Sequence, residues 1–406
     1  MYRLILIIFL MTMSFSACDD DSTSSNNNTN NNNNSTNNSN NTTNNNNIIN
    51  NTNMTCEDPM DVKDIHWANF KIYHGDTDAA MCMTDAQKMA VGAILSADAD
   101  WVNVCSATLV SDVHVITAAH CASHYNGEPL PANQLRFALG DDSSNPDGVF
   151  NVQSVHVNPE YSFWSTTTGT DHAILVLSTS PLDTLDVEPI PVNFGDISNL
   201  KGRYVQQVGF GTTEDDDNNH MKWWTPEMVS NFSIGDGDMI VNGQGESSVC
   251  SGDSGGPSLY PMEGNIVSVI GTVSWGDASC VDNDHYAMTN WDEEWISEYL
   301  PDYDYCGDLD DTGICDGNIA RWCENGLPRT ECCDDVTGPC GENTEGKFRC
   351  SSPKNACSTD LSWDGKCSSN GVIWCWFGKL HYRNCEVCGT TCGDTGVKGI
   401  GKYCID

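Results

Sequence analysis

The sequence predicts an all-β protein followed by small disulfide-rich modules, and three observations carry this. Apolar runs of strand length recur at residues 89–95, 102–110 and 113–116, and another follows Asp171 at Ala173–Leu177. Residues 291–300 form an amphipathic stretch, with Trp295 and Ile296 on its apolar side, and read as a helix closing that region. After Pro301 the composition turns to cysteine, glycine and aspartate with few aliphatics, too little apolar matter for a large core.

The 406 residues are enough for two or three domains. Acidic residues number 57 against 18 basic, a net charge of −39. A field of that sign argues against nucleic acid as a partner and against electrostatic docking on anionic lipid. Twenty-one cysteines point to an oxidising compartment. Apart from Cys18, six precede residue 301 and fourteen follow it, both even, as a disulfide framework requires.

At the amino terminus Arg3 precedes an apolar run over residues 4–13, too short to span a bilayer and suited to a signal peptide ending near residue 17. Phe15-Ser16-Ala17-Cys18 resembles a bacterial lipoprotein box, which implies lipidation of Cys18 and attachment to the cell envelope or surface. Plain secretion after Ala17 is the alternative. Residues 18–55, mostly Asn, Ser and Thr, cannot bury enough apolar surface to offset the entropy of ordering, and read as a tether.

The segment most dense in chemistry is Cys250-Ser251-Gly252-Asp253-Ser254-Gly255-Gly256-Pro257. Its glycines allow a tight turn in which backbone amides converge on one point, with Ser254 exposed as a nucleophile. Upstream, Thr117-Ala118-Ala119-His120-Cys121 closes a segment begun at Cys105, and Asp171 opens an apolar strand. Together these motifs resemble the chymotrypsin/trypsin-like serine proteases over residues 72–301. The resemblance implies a double six-stranded antiparallel β-barrel with a C-terminal helix. It makes His120 the general base, Asp171 its orienting acid, Ser254 the nucleophile, and the amides of Gly252 and Ser254 the oxyanion hole. Protein or peptide substrates follow, with no required cofactor. Asp141, Asp142 and Asp147 form an acidic loop where some relatives bind calcium, although turn-forming aspartates account for it equally.

The resemblance extends to activation. Ile72-Tyr73-His74-Gly75 follows Lys71, and residues 56–71 would be an activation segment. Cleavage after Lys71 would free the Ile72 ammonium to pair with Asp253. An ordinary strand start after a lysine remains the alternative. Val208-Gly209-Phe210-Gly211-Thr212 matches the family's mid-domain glycine segment, and Ser274-Trp275-Gly276 its substrate-pairing edge. Ser248 stands where relatives that cut after Lys or Arg place an aspartate, so an uncharged preference is expected. It would be large and apolar if Tyr286, near the opposite wall, turns away, and small if Tyr286 fills the pocket. Glu246, Asp277 and Asp284 lie nearby in sequence. An uncharged pocket implies activation in trans by a trypsin-like partner. Family pattern pairs Cys105 with Cys121 and Cys250 with Cys280, which by elimination leaves Cys56 with Cys82.

The tail repeats. Cys315, Asn318, Trp322 and Cys323 correspond to Cys367, Asn370, Trp374 and Cys375 in two units, residues 302–352 and 353–406. Seven cysteines in each suggest a bridge between the units. Cys385-x-x-Cys388 reads as structural disulfide chemistry rather than a metal site. Trp322, Trp374, Trp376 and Tyr382 suit either small cores or a sugar-binding platform. The tail would thus target a surface glycan or protein. An inactive protease scaffold serving as a cell-surface binding protein is the competing reading of the whole chain.

Overall fold

Short, mostly apolar strands cannot bury both faces in a flat sheet of this size, and here they close into barrels. The computed structural model describes Lys63 and residues 75–405, apart from 165–166, 215–217, 246, 334–337, 352–356, 358–359, 370 and 398–399. Cys18, Cys56, Lys71 and Ile72, with the segments read as signal and tether, lie outside the described residues.

The first barrel comprises β1 (Val91–Ser96), β2 (Asn103–Leu109), β3 (His114–Thr117), β4 (Leu135–Leu139), β5 (Gly148–Val157) and β6 (Ala173–Leu177), closed in the order β1-β2-β3-β6-β5-β4. Alternation is visible in β5, where Phe150 and Val152 are buried while Val149, Asn151 and Gln153 face water. Ahead of β1, helix α1 (Asp85–Met89) starts with a capping box between Thr84 and Gln87.

The second barrel comprises β7 (Tyr204–Gly209), β8 (Trp223–Ser233), β9 (Asp238–Asn242), β10 (Pro257–Pro261), β11 (Ile266–Gly276) and β12 (Asn283–Met288), closed as β9-β12-β11-β10-β7-β8. All pairings within both barrels are antiparallel, and a short helix (Glu293–Tyr299) follows the second, burying Ile296. No helix among the described residues is long and apolar enough to cross a membrane.

Each tail unit is built on a three-stranded sheet: Ile314–Asp316, Ile319–Glu324 and Leu327–Cys332, then Lys366–Ser368, Gly371–Trp376 and Lys379–Asn384. The disulfides correspond: Cys306–Cys323, Cys315–Cys340 and Cys333–Cys350 in the first, Cys357–Cys375, Cys367–Cys392 and Cys385–Cys404 in the second. The odd cysteines do not join the units to each other. Cys332 is bonded to Cys82, and Cys388 is also disulfide-bonded.

Two expectations are corrected here. Cys82 does not pair with Cys56. Elimination treated the six early cysteines as a closed set, whereas the first tail unit docks beside α1 and brings Cys332 to a Cα–Cα distance of 5.6 Å from Cys82. Contacts around that bond explain the docking: Gln87 Nε2 donates to Thr330 Oγ1 at 3.1 Å, Tyr305 Oη to the Val110 carbonyl at 2.6 Å, and Arg321 pairs with Glu188. Nor do cross-links alone hold the second unit. Trp363 and Trp376 pack on Tyr204 of β7 with ring centroids 5.0 and 4.9 Å apart, so this unit shares the core of the barrels. Trp374 and Trp376 are buried, and Arg349 stacks on Trp322 at 4.0 Å, so these aromatics serve packing.

Candidate active site

His120 sits in the helical turn Ala119–Ala122 that follows β3, and Cys105–Cys121 ties this turn back to β2. Asp171 immediately precedes β6, the neighbour of β3 in the barrel, so strand pairing brings acid and imidazole together. Asp171 Oδ2 lies 2.8 Å from His120 Nδ1, and Oδ1 accepts the His120 backbone N–H at 3.0 Å. Ser274 Oγ donates to the same Oδ2 at 2.6 Å. Burial alone would raise the Asp171 carboxyl. The neighbouring imidazole charge and these donors outweigh burial and hold it below the ordinary value. Burial opposes the charged imidazole too, yet Asp171 raises His120 above the usual histidine value. An ionised Asp171 is acceptor-only, so Nδ1 carries the proton and Nε2 is left as a base.

Ser254 belongs to the loop entering β10. Gly255 follows it at φ +76° and packs so tightly on the segment leading to His120 that a Cβ there would meet Thr117 Oγ1 at 2.0 Å and Ala118 N at 2.8 Å. Ser106 N–H donates to the Ser254 carbonyl at 2.8 Å, and Gly255 N–H to that of Val273, anchoring the loop to both barrels. Asp253 is fully buried, its oxygens accepting the Gly211 and Cys250 amides at 2.7 and 2.8 Å. Burial still pushes its carboxyl up to about 6. Its position also explains the glycine segment after β7, because a Cβ on Gly209 or Gly211 would lie 2.2 or 2.6 Å from that carboxyl.

A histidine paired with a buried acid on one barrel and a serine loop leading into the other are the parts that acyl transfer requires. A family model described as Trypsin matches residues 84–296, just over half of the chain. The chain belongs to the trypsin family.

Curated trypsin-family relatives agree across the two barrels. A tryptase of Mus musculus is 26% identical over 228 residues, covering 50% of this chain and 81% of that protein. A CLIP domain-containing serine protease B15 of Anopheles gambiae is 28% identical over 200 residues, 43% of this chain and 55% of the relative. The proclotting enzyme of Tachypleus tridentatus is 28% identical over 221 residues, 48% of this chain and 58% of its own length.

Around Ser248 this trypsin-family chain places two buried acids. Ser248 is fully buried and donates from Oγ to Asp284 Oδ2. Asp284, on β12, lies opposite Gly276 on β11, and a Cβ on Gly276 would meet its Oδ1 at 2.1 Å. Behind it Glu227 of β8 is fully buried. The Glu227 and Asp284 carboxyls lie close together, with the Val249 backbone N–H beside both. Burial raises Asp284 to about 7, and burial with the nearby Asp284 charge raises Glu227 well above the carboxylate range. A buried acid thus stands beside Ser248, contributed by a strand that follows the Ser254 loop.

Tyr286 neither closes nor opens a wall. It points into the barrel core, fully buried, with burial and the same acids raising its hydroxyl well above its ordinary value. Trp275 is 53% exposed, stacks on His285 at 3.4 Å, and donates from Nε1 to Thr168 Oγ1 at 3.2 Å. His285 in turn pairs with Asp238 at 2.7 Å. These supports, and Glu227, were missed in the sequence. Strand alternation could have revealed Asp284, two residues before the buried Tyr286.

Cys250 is bonded to Cys280. His120 lies within 4.8 Å of the Cys105 and Cys121 sulfurs, but those are joined and offer no thiolate for a metal. In the acidic loop, Asp142 accepts Ser144 N at 2.8 Å in a turn, and Asp141 approaches Lys222 Nζ at 3.4 Å. Glu246 lies outside the described residues.

Proposed function

We propose that the chain is a serine endopeptidase that cleaves next to basic side chains through an acyl-enzyme. The observation that carries the catalytic reading is the His120–Asp171 pair, with Asp171 held by three donors beside the Ser254 loop. In that reading His120 Nε2 takes the Ser254 hydroxyl proton as Oγ attacks the scissile carbonyl. The amides of Gly252 and Ser254 stabilise the oxyanion, and His120 then returns the proton to the leaving amine. Water repeats the sequence on the ester.

Preference for a cation rests on Asp284. An alkylammonium or guanidinium entering beside Ser248 would supply the counter-charge that this buried carboxyl lacks. The argument that the enzyme cannot cut after Lys71 then lapses, and self-processing joins activation by another protease as a route from zymogen to enzyme. The nine disulfides among described residues support maturation in an oxidising compartment. Export, with Cys18 lipidated as the tether, is part of the same proposal.

The test is fluorophosphonate labelling before and after limited trypsin cleavage, with Ser254→Ala as control. Labelling that appears only after a cut at Lys71 and vanishes in the variant is expected. A folded, cleaved protein that never labels would favour the scaffold reading.

A further inference from the structure

The second tail unit holds a residue from far upstream. Lys63 is fully buried, and its Nζ donates to the carbonyls of Ile400 at 3.0 Å and Lys402 at 2.8 Å. Three rings of the same unit surround the ammonium: Trp363 at 5.0 Å, Trp374 at 5.2 Å and Tyr403 at 5.8 Å from their centroids. Carbonyl acceptors and aromatic faces both offset the desolvation of a buried ammonium. Gly365 lies close enough that a Cβ would stand 3.4 Å from Nζ, and its φ is +76°, so the wall there is bare backbone.

The structure assigns to residues 353–406 a lysine-binding site whose occupant is Lys63 of the chain's own activation segment. We infer that this site steers the activating cut to Lys71 and keeps the upstream segment in place afterwards. The inference rests on the zymogen reading above. Residues 56–71 contain two lysines, Lys63 and Lys71, and a protease that cuts after lysine must seat the side chain in its own pocket. A side chain already enclosed by Trp363, Trp374 and Tyr403 is not available.

The experiment uses the full chain carrying Ser254→Ala, labelled under native conditions with an amine-reactive reagent and read by peptide mass spectrometry, before and after limited trypsin treatment. Lys366, whose side chain is 51% exposed, serves as the internal reference. Lys63 should label at least about tenfold more slowly than Lys366, because its reaction requires local opening. That protection should persist after the cut at Lys71, and Tyr403→Leu should weaken it. Labelling of Lys63 at the Lys366 rate in the uncut protein, or trypsin cleavage after Lys63, would overturn the site. Protection lost on cleavage at Lys71 would overturn retention. Absence of any cut at Lys71 would count against the zymogen reading, while labelling of the intact chain would still judge the lysine site.

Discussion

Gly276 and Asp284 face each other across β11 and β12, and the Asp284 carboxyl occupies the space where a side chain at 276 would begin, 2.1 Å from a built Cβ. Glycine is required at one position because the acid is present at the other. A buried carboxyl thereby lies beside the neutral Ser248.

Asp284→Asn keeps the volume and removes the charge. Cleavage after Lys or Arg should fall by about a hundredfold relative to cleavage after an uncharged residue, since an entering cation would be left without a partner. Steady-state kcat/KM on a matched pair of peptide substrates measures this. An unchanged ratio would remove Asp284 from the specificity argument.

The same ratio should depend on pH. Burial raises Asp284 to about 7, and only its ionised form attracts a cation. Preference for an arginyl over an alanyl substrate should therefore rise as pH passes through about 7. His120 titration cancels in the ratio because both substrates use it. A flat ratio from pH 6 to 8 would contradict this.

Stability should carry the opposite sign. Asp284 and Glu227 have folded-state values raised above those of the unfolded chain. Their contribution is thus fully present below the unfolded value and is lost as pH rises through the folded one, about 7 for Asp284. Thermal melts should show lower stability at pH 8 than at pH 5. Glu227→Gln should reduce that loss.

Asp171→Asn should lower kcat by about four orders of magnitude, as expected when the imidazole is held in the wrong tautomer. Ser274→Ala removes one donor from Oδ2 and should cost about tenfold, with little change in KM. Active-site-titrated kinetics separate the two.

Replacing Cys82 and Cys332 together by serine should lower unfolding free energy by about 2–4 kcal/mol, because that bond joins parts of the chain 250 residues apart. Denaturant titration of the uncut chain checks it. No loss would mean that docking of the first tail unit is secured by its non-covalent contacts.

Local signals determined much of this protein. Strand-length apolar runs, the glycines around Ser254, and the contexts of His120 and Asp171 were legible because strand period, turn chemistry and short motifs act within a few residues. The all-β class follows from the apolar runs, while the paired barrels and the candidate triad were implied by the family resemblance that these motifs carry. What only the tertiary structure decided involves partners distant in sequence. Cys82 meets Cys332, Lys63 enters the rings of Trp363, Trp374 and Tyr403, and Trp376 leaves its small unit to pack on Tyr204. Asp284 belongs to both groups: its alternation with Tyr286 was readable, but its role was not. Whether a carboxylate is a solvated surface charge or the buried base of a pocket depends on which strands close over it, and here β8, β11 and β12 together remove the water.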